Sequence, residues 1–263
     1  MRRARLTGWI LPGFTAALLL FLFAPIAVMI AFSFNNPLGR QNITWQGFTL
    51  SNYLTLWNRP DITGPMVNSV VVAIISTVVA TVLGTLIALA LTRYAFRGQP
   101  LMNLLIFIPM TAPEVILGAS LLTLWISLGT ERGLATILIA HVMFNISYVV
   151  VTVRARLAGF NRSLEEAAMD LYANPWTVFW KVTFPLIFPG IMAAALLAFS
   201  LSIDDFVITN FTAGQTVTFP MFIYGSYRVG VPVQVNVIGT IIFLTAVGAV
   251  ILSTVLQRRD RTA

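Results

Sequence analysis

Three acidic residues lie in strongly apolar stretches of this chain: Glu114, Asp204 and Asp205. An ionisable side chain inside a bilayer is costly, so its presence there predicts a functional role by default. Because no lysine or arginine lies near them in the same stretches, these carboxylates could attract a cation, such as an ammonium group. The sequence therefore points first to a path for a cationic solute.

Glu114 comes shortly after Pro109 and Pro113, and proline frees backbone carbonyls because it interrupts the hydrogen bonds of a helix. On a continuous helix, Glu114 would lie about 20 Å from Leu101 and past the middle of the membrane, at a rise of about 1.5 Å per residue. A carboxylate beside freed carbonyls would form a cradle for an ammonium group. The alternative is a protonated or helix-capping acid that is buried against a partner subunit.

Asp204 and Asp205 are neighbours, so on a helix their side chains point about 100° apart and at most one of them faces a pore. An alternative of equal weight is that the pair caps a helix at the membrane surface. His141 and Asn145 are expected to bond neighbouring helices, and a single histidine without any cysteine argues against a metal site. Aromatic rings that could contact a cation are those of Tyr148, Phe199, Phe206 and Tyr224.

These residues must be held by helices that cross a membrane. Apolar residues make up 58% of the chain and charged residues 10%, and apolar stretches of about 20 residues, the length that spans a bilayer core, recur along it. We therefore predict an all-α, polytopic membrane protein with a single domain over residues 1–263. The first span is expected to be retained rather than cleaved as a signal peptide, and to be bent or broken near Pro25. The six predicted spans are Gly8–Phe34, Val67–Leu91, Leu101–Leu128, Leu134–Val153, Leu186–Ile208 and Val235–Leu256.

The basic residues predict the orientation of these spans, because lysine and arginine collect in short cytoplasmic loops. Twelve of the 16 basic residues fall on one side of the six predicted spans. Both termini are therefore placed in the cytoplasm. On the external side, the aromatic residues of Asn35–Met66 are expected to be interfacial anchors, with docking of an external partner as the alternative. Phe219–Tyr224 is too apolar for a plain loop and could be a re-entrant piece.

One predicted cytoplasmic segment, Ser163–Pro185, has the character of two short soluble helices. Ser163 followed by Glu166 predicts a capping box, and Asn174 before a proline predicts the start of the second helix. Trp176 and Trp180 would give that helix a large apolar surface before Pro185 ends it. Such a hairpin fits a cleft in a partner protein, and the alternative is an amphipathic hairpin that rests on the inner leaflet.

The spacing within this segment resembles a known motif. Glu166-Ala167-Ala168 is followed at fixed distances by Tyr172, where a glycine is usual, and by the sequence from Val182 to Pro185. This pattern is similar to the EAA loop of bacterial ABC importer permeases, here residues 154–185. Because Tyr172 replaces the glycine, we expect Asn174 to be able to take the unusual backbone conformation instead. The resemblance implies the type I ABC importer permease fold with a cytoplasmic coupling helix, and it implies contacts with an ATPase subunit by Glu165, Glu166, Ala167, Ala168, Asp170, Tyr172 and Pro185.

Further stretches of the chain resemble the spermidine/putrescine permease subunits, most closely the second permease type of the spermidine-preferring system. They include WQGFTLSNY in the first external connection, RYAFRGQP after the second span and LSIDDFVITNFTAG at the fifth. The resemblance implies transport of polyamines across the bacterial inner membrane. It implies as partners a second permease subunit, two ATPase subunits, an extracytoplasmic substrate-binding protein, the polyamine substrate and the lipid bilayer, and no nucleic acid.

The chain is not expected to be an enzyme. A phosphate-binding P-loop is glycine-rich and ends in lysine followed by serine or threonine, whereas the single lysine, Lys181, lies between Trp180 and Val182. ATP and Mg²⁺ are therefore expected on partner subunits, and no cofactor or metal on this chain. The alternatives are an importer for another solute, such as iron, thiamine or a sugar, and a stand-alone channel or carrier.

Overall fold

The computed structural model describes the backbone of residues 3–260 and the side chains of residues 11–245, 247 and 248. Every regular element of this described part is helical, which confirms the predicted all-α class. The elements are α1 (Arg3–Ser33), α2 (Ser51–Thr55), a 3₁₀ turn (Leu56–Asn58), α3 (Pro60–Arg93), α4 (Gln99–Thr111), α5 (Glu114–Ser127), α6 (Leu134–Ala158), α7 (Ser163–Asp170), α8 (Pro175–Val178), a π-helical turn (Phe179–Thr183), α9 (Phe184–Ile203), α10 (Val207–Thr212), α11 (Phe219–Ser226) and α12 (Val233–Asp260).

Helices occupy all six predicted spans. Within the described residues, four helical runs are long and apolar enough to cross a membrane: Leu11–Ser33, Pro60–Arg93, Leu134–Ala158 and Pro175–Ile203. The pair of α4 and α5 makes a fifth if it is counted as one span, and α12 begins with a shorter apolar stretch, Val233–Thr245. The basic residues Arg2 and Arg261 lie outside the described residues, and the orientation of the termini stays a prediction.

The described chain divides into two compact units. The first unit comprises the residues up to Thr63 and those from Ile223 onward, and in it α1 packs against α12. A Cβ atom on Gly239 of α12 would lie 2.6 Å from the sulfur of Met29, so glycine permits the close approach of these two helices. A bend or a break was expected near Pro25; helix α1 continues through this proline, so a break is absent.

The segment after α1 is organised by buried amides. The side chain of Asn35 donates hydrogen bonds to Asn42 Oδ1 (2.7 Å) and to the carbonyl of Thr44 (2.8 Å), and it accepts one from the backbone of Gln46 (2.7 Å). The Asn52 amide donates to the carbonyls of Ser33 and Asn35. These bonds satisfy backbone groups that have no helix or strand to pair them.

The second unit, Gly64–Phe222, is built around α6, which packs against α4, α9 and α10. Its apolar core contains Val149, Val150 and Val153 of α6, all fully buried. Small residues bring the neighbouring helices close, because a Cβ atom on Gly84 of α3 would lie 2.6 Å from Val149. A Cβ atom on Gly190 of α9 would lie equally close to Arg156.

The predicted third span is not one helix, which corrects the expected span Leu101–Leu128. It is broken between α4 and α5, whose axes differ by 108°. The cause lies in Pro113, because a residue that precedes a proline is driven out of the α conformation. Ala112 accordingly has ψ 137° and Pro113 has ψ 131°, both extended.

The predicted fifth span, Leu186–Ile208, also ends early. Helix α9 stops at Ile203, and α10 begins only at Val207. Asp204 and Asp205 therefore lie in a break between two helices and not on one continuous helix. The expectation that their side chains are offset by about 100° on a helix was wrong.

Candidate functional site

A small cavity of the second unit brings three of the predicted solute-path residues together. Its polar lining is supplied by Glu114, Tyr148 and Asp205. Its volume of about 30 Å³ has room for one small polar group of the size of water or an ammonium. No lysine or arginine is among the described residues that line it, so the charge at the cavity is negative. The apolar lining consists of Pro109, Leu117, Phe144, Leu201 and Ile208.

Glu114 is placed at this cavity by the break in the third predicted span. It is the first residue of α5, directly after Pro113, and its side chain is exposed in the chain taken alone. A carboxylate in the first turn of a helix is stabilised by the partial positive charge of the helix N-terminus. The expected distance of about 20 Å along one helix from Leu101 therefore does not apply, because α4 and α5 are separate helices. This position is compatible with both roles considered for Glu114, that of a helix-capping acid and that of a ligand for a cationic solute.

Asp205 is held firmly by the first turn of α10. Its Oδ2 atom accepts hydrogen bonds from the backbone N–H of Thr209 (2.8 Å) and from the Thr209 hydroxyl (2.6 Å). His141 Nε2 lies 3.4 Å from the same oxygen. The Asp205 side chain is only 7% exposed, whereas Asp204 is exposed. The two neighbouring acids thus have different surroundings.

A cluster of buried polar side chains adjoins Asp205. His141 is 1% exposed, and its ring bonds Ser202 on α9 (3.1 Å) and Thr209 on α10 (2.9 Å). Asn145 donates to the same Ser202 (2.8 Å). The prediction that His141 and Asn145 bond neighbouring helices is confirmed. Ser202 and Thr209 were missed, although hydroxyls in an apolar span flanking two acids were a usable signal.

The other predicted aromatic residues are distributed over the chain. Phe206 lies in the break beside Asp205 and is half-buried, but it is not one of the residues that line the cavity. Phe199 is on α9 and is 36% exposed. Tyr224 belongs to the first unit, on α11, and is 62% exposed. Of the four rings, the cavity therefore includes that of Tyr148 alone.

The hairpin turns at Tyr172, whose φ of 61° lies in the left-handed region that favours glycine. The N–H of Ala173 bonds the carbonyl of Ala168 (3.1 Å), and the N–H of Tyr172 bonds that of Met169 (2.9 Å). This is a Schellman ending of α7, with Tyr172 at the position that glycine usually takes. Asn174 has φ −71°, so the expectation that it would adopt the unusual conformation was wrong. The turn keeps its geometry without the glycine.

Replacing Tyr172 by glycine is expected to stabilise the chain by about 1 kcal/mol, because the left-handed conformation is unfavourable for a residue with a Cβ atom. Tyr172 is 98% exposed, so the substitution removes almost no packing. Thermal unfolding of the purified chain in detergent would measure the change. Leu171→Gly is the control, since Leu171 is exposed and has φ −86°, where glycine is destabilising. An unfolding temperature of Tyr172→Gly that is equal to or below that of the unchanged chain would contradict the prediction.

The helix ends of the hairpin were predicted in part. Asn174 does cap α8, because its side chain accepts the N–H of Thr177 (2.8 Å) with Pro175 in the first turn. The capping box from Ser163 to Glu166 was wrong. Ser163 is already inside α7, and its N–H bonds the side chain of Asn161 (3.1 Å).

Pro185 does not end the second helix, which corrects another expectation. The chain stays helical from Pro175 to Ile203 and passes through the π-helical turn Phe179–Thr183 just before the proline. In an α-helix the proline ring would clash with the carbonyl four residues earlier. We attribute the wider π turn, in which the N–H of Phe184 bonds the carbonyl of Phe179, to this constraint.

Glu165 is bonded inside the chain. Its carboxylate accepts hydrogen bonds from Arg93, the last residue of α3, and from Thr183 in the π-helical turn. The Glu165 side chain is 13% exposed and that of Arg93 is 30% exposed. In addition, Arg162 donates to the carbonyl of Thr92 (3.1 Å). We call this set of bonds the Glu165 brace; it ties α7 to the end of α3 and to the π-helical turn that precedes α9.

The remaining predicted coupling residues lie on the outer side of α7. Glu166, Ala167 and Asp170 are exposed, and Ala168 is half-buried. The second helix adds a ladder of aromatic rings at a spacing of four residues, with centroid distances of 4.9–5.7 Å. Its members are Trp176, Trp180, Phe184 and Phe188. The hairpin thus presents an acidic edge and an aromatic face.

Apolar helices of membrane-spanning length, a negatively charged cavity among them and a polar hairpin define a multi-pass component of a transport system. The chain belongs to the family of binding-protein-dependent transport system inner membrane components, which matches residues 80–259. It is accordingly a multi-pass protein of the inner membrane.

Relatives of known name cover almost the whole chain. The spermidine/putrescine transport system permease protein PotC of Escherichia coli (strain K12) is 38% identical over 251 residues, which are 95% of this chain and 94% of PotC. The putrescine transport system permease protein PotI of the same strain is 39% identical over 249 residues, 92% of this chain and 86% of PotI. The resemblance to the spermidine/putrescine permeases is confirmed.

Solved structures show the same fold. A bacterial ABC transporter involved in the import of the acidic polysaccharide alginate contains a chain with TM-score 0.68 at 19% identity, covering 98% of both chains. The MetNI methionine ABC transporter contains one with TM-score 0.58 at 15% identity, covering 81% of this chain and 99% of that one. The predicted ABC importer permease fold is confirmed.

Proposed function

We propose that this chain is a permease subunit of an ATP-driven ABC importer that moves polyamines, such as spermidine and putrescine, across the bacterial inner membrane. The observation that carries the proposal is the cavity that Glu114 and Asp205 both line. Polyamines are chains of ammonium groups joined by methylenes, and two carboxylates with a tyrosine ring are a suitable environment for one such group. The relatives named for spermidine and putrescine transport support the same solute class.

The proposed assembly contains this chain over its full length of residues 1–263, a second permease subunit, two ATPase subunits and an external binding protein. ATP and Mg²⁺ would bind to the ATPase subunits, since this chain contains no glycine-rich sequence ending in lysine. Both termini would lie in the cytoplasm. This orientation follows from the twelve basic residues on one side of the spans.

In this proposal α7 is the coupling helix. Its exposed residues Glu166, Ala167 and Asp170 would lie in a cleft of the ATPase subunit. Glu165, Tyr172 and Pro185 would act from within the hairpin: Glu165 through its brace, Tyr172 by forming the turn, and Pro185 at the π-helical turn. Closure of the ATPase subunits would then move α7 together with α3 and α9, and these helices extend from the hairpin into the membrane.

Uptake by the reconstituted complex tests this function. The chain would be co-purified with the permease, ATPase and binding-protein subunits of its transport system and inserted into proteoliposomes. We expect ATP-dependent uptake of radiolabelled spermidine or putrescine that unlabelled polyamine inhibits and that excess thiamine, sugar or ferric iron does not. A complex without this chain is the control. Inhibition by another of these solutes would contradict the substrate, and uptake without ATP would contradict the class.

A further inference from the structure

A continuous row of hydrogen-bonded side chains runs through the second unit and ends at the cavity. The row crosses four helices, α3, α9, α6 and α10, and all of its members except Asp205 are at most 3% exposed. Each contact along it is 2.6–3.1 Å long. No lysine or arginine belongs to it. Its members, in order, are Ser76, Ser202 with Asn145, His141, Thr209 and Asp205.

The direction of the hydrogen bonds is determined at the Asp205 end. A carboxylate oxygen that already accepts a backbone N–H and a hydroxyl acts as an acceptor only. The Thr209 hydroxyl has one proton, and this proton is directed to Oδ2 of Asp205 at 2.6 Å. The hydroxyl oxygen must therefore accept from His141 Nε2 at 2.9 Å. His141 needs a proton on Nε2.

The contacts at the Ser76 end favour the same direction. The Ser76 hydroxyl lies 2.9 Å from Ser202 Oγ and 3.4 Å from the carbonyl of Ala73, and only the contact with Ser202 has the length of an ordinary O–H···O hydrogen bond, which favours donation by Ser76 to Ser202. Asn145 Nδ2 also donates to Ser202 Oγ, at 2.8 Å. A serine oxygen accepts two hydrogen bonds and donates one. When Ser76 donates to Ser202, the proton of Ser202 is directed to His141 Nδ1, which is then unprotonated.

The Asp205 end thus requires a proton on Nε2 of His141, and the contacts at the Ser76 end agree with that form of the histidine. We infer that His141 is held as the Nε2–H tautomer and is a positioning residue for Asp205. The hydrogen bonds fix Oδ2 of Asp205 through Thr209. The other oxygen, Oδ1, accepts a long bond of 3.4 Å from the N–H of Ile208 and retains capacity for another donor. A solute cation in the cavity would bind at Oδ1.

The first test measures which ring nitrogen of His141 carries the proton, and it does not require transport activity. Because His141 is the one histidine of the sequence, ¹⁵N-histidine labelling of the full chain gives a single pair of ring nitrogen signals. The chain would be purified through a tag without histidine and placed in lipid nanodiscs for NMR. We expect a protonated, pyrrole-type Nε2 and an unprotonated, pyridine-type Nδ1. Protonation of Nδ1 alone, or of both nitrogens, would overturn the inference.

Two variants make this test specific. In Asp205→Asn the side-chain amide can present either its acceptor oxygen or its donor nitrogen to Thr209, so the direction of the Thr209 proton is no longer fixed and a second tautomer is expected in the spectrum. Asp204→Asn is the matched control, because Asp204 is adjacent and exposed but is not a member of the row, and its spectrum should equal that of the unchanged chain. An unchanged spectrum for Asp205→Asn, or a changed one for Asp204→Asn, would count against the row.

The second test asks whether His141 positions Asp205 for polyamine uptake, and it rests on the proposed function. His141→Leu is expected to raise the half-saturation concentration for polyamine uptake about tenfold, as for the loss of one buried hydrogen bond, with a smaller change in the maximal rate. His141→Gln, whose amide can donate to Thr209, should restore much of the loss. Equal half-saturation concentrations for the unchanged complex, His141→Leu and His141→Gln would refute the positioning role. If the unchanged complex shows no uptake, the proposed function fails while the tautomer result stands.

Discussion

Replacing Glu165 by glutamine is expected to let ATP hydrolysis continue while polyamine uptake per ATP falls about tenfold or more. The carboxylate is the centre of the brace, because it accepts hydrogen bonds from Arg93 at the end of α3 and from Thr183 in the π-helical turn before α9. Glutamine removes the charge and one acceptor oxygen, and it leaves the Arg93 guanidinium, 30% exposed, without its counterion. A coupling helix that is loosely attached would move without moving the spans.

The expected loss of stability follows from burial. Breaking a fully buried ion pair costs about 3–5 kcal/mol, whereas exposed pairs contribute about 1 kcal/mol or less. Glu165 and Arg93 lie between these limits, so we expect a loss of about 1–3 kcal/mol, seen as a lower unfolding temperature of the purified chain. Arg93→Gln should reproduce both effects.

The neighbouring acid provides the matched comparison. Glu166 is exposed on the same helix, and in the proposed assembly it contacts the ATPase subunit directly. Glu166→Lys should also uncouple hydrolysis from uptake, but it should leave the unfolding temperature of the chain alone unchanged. Coupled transport at the normal ratio by Glu165→Gln would contradict the brace, and normal uptake by Glu166→Lys would contradict the contact with the ATPase.

The different surroundings of these two acids show what local sequence can reveal. The position of the hairpin, its second helix and its cap at Asn174 follow from residues within a few positions of each other. The role of Glu165 depends on Arg93, which is 72 residues away, so helical periodicity alone could not separate it from Glu166. Tyr172 was correctly singled out as a departure, but only the backbone shows that it adopts the glycine conformation itself.

The breaks in the third and fifth spans differ in the same way. Pro109 and Pro113 indicated an interruption of the third span, although they could not predict the angle of 108° between α4 and α5. The break at Asp204 and Asp205 contains no proline or glycine that could have predicted it. It coincides with the cap that Asp205 makes on α10 and with the contact to His141, which comes from another helix. Acidic residues in apolar stretches were sufficient to find the cavity, but not to assign which acid is buried.

The two acids at the cavity should therefore differ in the effect of losing their charge. Glu114→Gln removes a carboxylate that is exposed at the start of α5, so the fold and the assembly should be unaffected. The half-saturation concentration for polyamine uptake should rise about tenfold, the effect of losing one charge-assisted contact with the solute. Co-purification with the partner subunits would show that the assembly is intact.

Asp205→Asn should have the larger effect, because this carboxylate serves two purposes. Its charge faces the cavity, and its Oδ2 atom satisfies the backbone N–H and the hydroxyl of Thr209. An asparagine oxygen can still accept one of these bonds, so the chain should assemble while uptake at low polyamine concentration falls about a hundredfold. That factor corresponds to about 2.7 kcal/mol, the sum of a lost ionic contact and a weakened cap.

Asp204→Asn is the control for both variants, since Asp204 is exposed and does not line the cavity. Uptake should stay within about twofold of normal, because a neutral substitution at an exposed position away from the cavity changes little. If Asp204→Asn lowered polyamine uptake as much as Asp205→Asn does, uptake would depend on the total negative charge at the break and not on the carboxylate at the cavity. If instead Glu114→Gln and Asp205→Asn both transport normally, polyamine does not pass between these two carboxylates. The order of effects, with Asp205 above Glu114 and both above Asp204, is the result that a single ammonium position in this cavity requires.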